Sequence, residues 1–147
     1  MSWLGALDVA GTGVTAAGVR MGVIAENLAN SDTTRTEVGG PYRRRVVVLA
    51  SSPLEGSAFR PPVGWRPGEG ELVGVTVREI AEAPDPVKRV YEPGHPDADA
   101  QGYVAMPNVQ VPLEMADLVV ASRVYQANVT ALQTLRRSLS ESLNLLS

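Results

Sequence analysis

The chain has 147 residues with a net charge of −3, and its 44% hydrophobic and 20% charged residues suit one folded domain rather than a disordered chain. The mild negative charge gives no general attraction to nucleic acid or anionic membrane. The absence of cysteine excludes disulfides, thiol catalysis and cysteine-ligated metal, and with one phenylalanine any core rests on Leu, Val, Ile, Met and Ala.

Residues 1–32 form the first expected element. Trp3, Leu7, Ala10, Val14, Ala17, Met21, Ile24 and Leu28 alternate by fours and threes, the a and d spacing of a heptad, so they share one stripe of a helix. Glycines at Gly5, Gly11, Gly13, Gly18 and Gly22 each cost about 0.8–1 kcal/mol relative to alanine inside a helix. Such a helix is expected to form fully only when something packs on it. Beside the line of Leu7, Val14 and Met21 runs a second line of Leu4, Gly11, Gly18 and Ala25, whose small residues let another backbone approach closely. Two adjacent contact faces suit a crowded array better than a lone hairpin.

Gly11-Thr12-Gly13-Val14-Thr15-Ala16, with Asp32 further on, matches the spacing of a dinucleotide fingerprint. That motif opens from a strand, whereas here the heptad runs straight through the glycines, so no cofactor is expected. The segment lacks the early basic cluster of a cleavable secretory signal, and Asp8 interrupts its apolar stretch. No apolar run reaches the ~18–20 residues of a bilayer span, so membrane insertion is not expected.

The composition changes over residues 33–110. Tyr42 to Leu49 and Glu71 to Ile80 are β-branched and read as strands, the latter with Val73, Val75 and Val77 on one face. Lys88 to Tyr91 and Tyr103 to Met106 are shorter candidates. Residues 51–70, between the two longer strands, are rich in Pro and Gly and are expected to form an exposed loop. On a strand, Arg43 and Arg45 share a face while Arg44 opposes them, which scatters the charge. A solvated strand or an intersubunit salt-bridge row fits this better than a nucleic-acid patch.

His95 is the sole histidine, and it stands among Glu92, Asp97 and Asp99, a set that could be drawn as a metal site. The ligand order of a calcium loop is missing. The simpler expectation is a polar turn in which Asp97 and Asp99 cap backbone N–H groups while Pro93 and Pro96 stiffen the path. No nucleophile elbow accompanies His95, so neither a metal ligand nor a catalytic residue is assigned.

Residues 111–147 restore the heptad. Leu118, Tyr125, Leu132, Leu139 and Leu146 recur every seven residues, with Ser122, Val129, Arg136 and Leu143 between them and Leu135 flanking. The helix should start near Pro112, with Glu114 complementing its N-terminal dipole, and Asn128 sits beside the seam where it would fix register. The expected fold is therefore α+β. Two helices of about 30 residues, or ~45 Å, pair as a coiled coil (1–32 with 111–147), and a small β-rich middle loops out with its Pro/Gly-rich stretch. The assembly seam would comprise Leu7, Val14, Met21, Ile24 and Leu28 on one helix, and Leu118, Tyr125, Val129, Leu132, Leu139 and Leu143 on the other. Gly11, Gly18 and Ala25 would form a close-packing stripe beside it.

Three strings carry a family resemblance. Asn27-Leu28-Ala29-Asn30, with Thr33 and Thr34 close behind, resembles the N-L-A-N signature of the flagellar axial proteins. Residues 91–108, which include Gly94, His95, Pro96, Asp97 and Asp99, resemble a stretch typical of the proximal-rod branch. Residues 115–129, with Tyr125, Gln126 and Asn128, resemble that branch's C-terminal helix. Thr33 to Thr36 departs from the T-x-G-aromatic pattern of hook and distal-rod relatives, which again favours the proximal rod. The resemblance implies a non-catalytic subunit exported unfolded by the flagellar type III apparatus. It implies helical assembly with other rod proteins and copies of itself, contact with membrane-ring and export-gate junction proteins, and transmission of torque within the basal-body rod of the periplasmic space. The heptads alone would also fit a soluble coiled-coil adaptor or secreted interaction protein unconnected with motility.

Overall fold

The structure is a computed structural model and describes residues 3–53 and 73–144. The side chains of Trp3 and Leu4, Leu146, the first two residues of the expected strand at Glu71 to Ile80, and the expected loop 51–70 from residue 54 onward lie outside the described residues. In chain order the elements are α1 (Trp3–Ala29), β1 (Arg45–Pro53), β2 (Val73–Glu82), β3 (Lys88–Tyr91), β4 (Tyr103–Met106) and α2 (Val111–Asn144). This is an α+β layout, with a long helix at each end of the described chain and a small β middle.

The strands form two two-stranded sheets, β1 with β2 and β3 with β4. The second is antiparallel, with Lys88 opposite Met106 and Tyr91 opposite Tyr103. β1 starts three residues later than the expected Tyr42, because the Tyr42 N–H donates to the Thr33 carbonyl at 3.0 Å instead of joining a ladder. The chain reaches that point through a tight return at Thr36 to Gly40, where Gly39 and Gly40 take φ of 93° and 78°.

α1 keeps its threonines in helix by back-bonding: Thr12 Oγ1 donates to the Val9 carbonyl at 2.7 Å and Thr15 Oγ1 to that of Gly11 at 3.1 Å. α2 opens with Pro112 in its first turn, where no backbone N–H is required, and the Gln110 carbonyl receives the N–H groups of Leu113 and Glu114.

The fold divides into two compact units. The first takes Met1–Val19, Leu49–Arg78 and Ala121–Ser147; the second takes Arg20–Val48 and Glu79–Val120. Their interiors differ in kind. Among the described residues, the buried apolar side chains of the first unit are Ala16, Ala17 and Ala121. Those of the second are Val23, Ile24, Tyr42, Ala83, Pro107 and Val104, the last with no exposed surface, joined by the buried polar pair Asn27 and Glu114. A fully buried Val or Ile contributes about 1.5–3 kcal/mol, against about 0.8 kcal/mol for one methyl-sized group. Among the described residues, the larger fully buried side chains thus lie in the second unit.

Candidate functional site

Asn27, in the last full turn of α1, is 1% exposed and is the centre of a closed polar network. Its Nδ2 donates to the Arg45 carbonyl at 2.8 Å and to Glu114 Oε2 at 3.1 Å. Its Oδ1 accepts from the Arg45 N–H at 2.8 Å and from the Tyr42 hydroxyl at 3.0 Å. A carboxamide has two donors and two acceptor lone pairs, so the whole capacity of Asn27 is used. Glu114, also 1% exposed, receives Arg44 Nε on its other oxygen at 2.6 Å. The Arg44 side chain is 27% exposed, so its charge stays partly hydrated while it neutralises the carboxylate. Burial, reinforced by Glu26, raises the Tyr42 hydroxyl above the ordinary phenol range and keeps it a donor. One asparagine thereby ties the end of α1, the start of β1 and the first turn of α2.

The arginine run extends this network with ion pairs of its own. Arg45 Nη1 reaches Glu26 at 2.9 Å, Arg44 reaches Glu114, and Arg43 lies 4.0 Å from Glu82. Each guanidinium thus faces a carboxylate of its own chain, while the Arg43 and Arg45 side chains stay about half exposed (55% and 46%). Asn30, the second asparagine of the string, closes α1 by donating from both its backbone N–H and its side-chain amide to the Glu26 carbonyl. Between them, Leu28 is half-buried and Ala29 exposed.

The β3–β4 connection holds the second motif. Asp99 Oδ1 accepts the N–H groups of Gln101 and Tyr103, both at 2.9 Å, and Oδ2 receives Arg89 Nη2 at 2.6 Å. These bonds, the one from the Tyr103 backbone foremost, hold the Asp99 carboxyl below its usual pKa. Among the described residues Asp97 receives no backbone N–H. Its Oδ2 instead accepts from Thr34 Oγ1 at 2.8 Å, with the Arg35 guanidinium at 3.9 Å. His95 Nδ1 accepts the Asp97 N–H at 3.1 Å, which places the ring proton on Nε2. Gly94 and Pro96 are exposed. Gly102 has φ of 82°, and a Cβ there would lie 2.9 Å from the Tyr91 ring. Among the described residues no three acidic or imidazole groups converge to hold a metal ion.

The expected seam divides. On α1, Ile24 is buried and Leu7, Val14, Met21 and Leu28 are half-buried. On α2, Leu118, Val129, Leu132 and Leu139 are half-buried, whereas Tyr125 and Leu143 are 37% and 59% exposed. The row that the chain itself covers runs through Ala121, Asn128, Leu135 and Ser142, interleaved with Leu118, Leu132 and Leu139. In the first unit, a Cβ on Gly13 would sit 3.0 Å from the Asn128 side chain and one on Gly18 4.0 Å from the Tyr125 ring. Residue numbers rise on one helix as they fall on the other, so α1 and α2 run antiparallel where they touch. Gly11 has open space at its Cβ position, and Ala25 and Gln126 are exposed.

One surface escaped the sequence reading. Leu113, Met115, Val119, Val120 and Val124 on the first half of α2 are 47–57% exposed. The signal was present as an apolar string too dense for a one-sided helix.

Comparison with known proteins defines the class. Residues 7–35 match the family described as "Flagella basal body rod protein", and residues 100–145 match the "Flagellar basal body rod FlgEFG protein C-terminal" family. The two matches cover α1 from Leu7 onward with its closing turn, and β4 with α2. The chain is 41% identical to the flagellar basal-body rod protein FlgC of Escherichia coli, covering 99% of this chain and 98% of the relative. It is 42% identical to FlgC of Bacillus subtilis over 95% of each chain, and 40% identical to that of Salmonella typhimurium. The chain belongs to the FlgC family of flagellar basal-body rod proteins. It is a structural subunit of the flagellar rod, with other rod components as its partners. A soluble adaptor unconnected with motility is thereby set aside.

Proposed function

We propose that the chain builds the proximal rod by stacking with copies of itself and with other rod proteins through its terminal helices. Residues 1–32 and 111–147 pair as a coiled coil, with 33–110 as the outer part, and the seam, the Gly11–Gly18–Ala25 stripe and the motif residues serve that packing. The subunit passes unfolded through the flagellar type III export apparatus, which its glycine-weakened α1 suits. It meets the ring and export-gate junction proteins at the base of the rod and transmits torque in the periplasmic space.

The observation that carries this reading is the first half of α2. Leu113, Met115, Val119, Val120 and Val124 are half exposed, whereas the exposed positions of the second half are mostly polar, among them Thr130, Gln133, Arg137 and Glu141, with Leu143 the large apolar exception. A helix that is apolar on several faces is normally buried on several faces. The chain covers only one of them, and a neighbouring subunit would cover the rest through heterologous contacts that stack openly.

Val120→Asp tests it. Val120 is 53% exposed, so the isolated chain should keep its stability to within about 0.5 kcal/mol. An unpaired carboxylate enclosed between subunits should abolish incorporation into basal bodies and swimming in cells lacking the native copy. Normal rods built from the variant would sink the proposal.

A further inference from the structure

We infer that the second unit forms a folded root in the unassembled subunit, latched by the Asn27 network, from which both terminal helices propagate during assembly. The inference rests on the reading that the terminal helices order when packed by neighbours. It adds where that ordering starts and which residues hold the starting point.

Two observations carry it. First, among the described residues the large buried side chains, Val23, Ile24, Tyr42 and Val104, lie in the second unit, whereas the buried residues of the first are alanines and glycines. Stability is unevenly spread in such a chain, and segments with little buried apolar surface open first. Second, the second unit contains residues 20–29 of α1 and residues 111–120 of α2, and its polar network closes on both. Asn27 in the one bonds Glu114 in the other, and Arg44, Arg45 and Tyr42 complete the set with every acceptor and donor of the amide used. No buried side-chain polar atom among the described residues lacks a partner.

The consequence follows from helix nucleation. Starting a helix is improbable by a factor of about 10⁻³, while adding one residue to an existing turn is close to neutral. A turn of α1 and a turn of α2 held by the network remove both nucleation steps. The incoming neighbour then needs only to favour propagation, toward the N-terminus along glycine-containing α1 and toward the C-terminus along α2. The root also fixes the antiparallel register, since Asn27 and Glu114 meet in one alignment only.

Hydrogen exchange of the full-length dilute subunit tests the inference. Amides of residues 23–29 and 115–120 should exchange at least about a hundredfold more slowly than those of residues 5–18 and 126–144. If the root amides exchange as fast as the outer helices while Val90 and Val104 stay protected, the root is wrong and ordering on assembly still stands. If both helices are protected end to end, the root and the assembly-ordering reading fall together.

Asn27→Ala should bring the root amides down to the rate of the outer helices while Val90 and Val104 remain slow. Tyr42→Phe removes one hydrogen bond and keeps the ring, so it covers the case in which Asn27→Ala does not fold. It should speed the same root amides about five- to tenfold. Unchanged root protection in Tyr42→Phe would overturn the latch.

Discussion

At the scale of single residues, the useful quantity is how many groups lose a partner when one side chain goes. Asn27→Ala leaves the Tyr42 hydroxyl, the Arg45 N–H and carbonyl, and one Glu114 oxygen without their shared partner. Unsatisfied buried groups cost about 1–3 kcal/mol each, and with partial rehydration the expected loss is about 3 kcal/mol or more in urea unfolding. A loss under 1 kcal/mol would mean that the network is ornamental. Tyr42 adds a pH signature. Its folded pKa is raised, so the folded state retains the phenolic proton where the unfolded state has lost it. The contribution is complete below about pH 10 and declines as pH rises further. Tyr42→Phe should flatten the alkaline decline, and an unchanged slope would refute the assignment. Asp99 has the opposite sign: its lowered pKa makes the hairpin turn firmest above about pH 4 and weaker as pH falls. Asp99→Asn should remove that acid dependence, read from exchange at the Gln101 and Tyr103 amides.

At the scale of elements, both helices were legible because a seven-residue spacing survives any choice of partner. On α2 the spacing alone does not say which flanking row the chain itself covers. Leu118, Leu132 and Leu139 are half-buried together with Ser122 and Val129, but Arg136 and Leu143 are exposed, and Ala121, Asn128, Leu135 and Ser142 are covered as well. A hydrophobic pattern cannot rank an alanine, an asparagine or a serine as interior, and these positions are interior because small side chains admit close approach. The same point separates the glycines of α1. Gly11 has no neighbour within 4 Å of a Cβ, whereas one on Gly13 would lie 3.0 Å from Asn128. Gly11→Ala should therefore stabilise the isolated helix by about 0.8 kcal/mol, and Gly13→Ala should gain less because Asn128 must shift. If Gly11 belongs to a close-packing stripe between subunits, Gly11→Ala should lower rod incorporation while raising helicity. Gains in both would remove Gly11 from the interface.

At the scale of the whole molecule, sequence gave the class through its three strings but not the function of the first one. Asn27 and Arg44 both meet Glu114, through bonds that join residues 87 and 70 positions apart, and no local pattern pairs them. Glu114 read as a dipole complement because its sequence neighbours offered nothing else; its burial is decided by Arg44 arriving from another segment. Strand pairing was hidden for the same reason. What the strings and the fold jointly imply is a chain whose helical content depends on company. α1 and α2 have 27 and 34 residues, and only residues 20–29 and 111–120 lie in the unit with the stronger core. The far-UV dichroism of the dilute subunit should therefore report about a third of the helix that both elements contain, since among the described residues the remainder buries small side chains only, and its α1 part carries four of the glycines. Mixing with rod partners should raise the signal toward the full content in step with sedimenting mass, because each added neighbour covers a face of α2 that the chain leaves open. A dilute monomer already at full helicity would show that the terminal helices need no neighbours to fold.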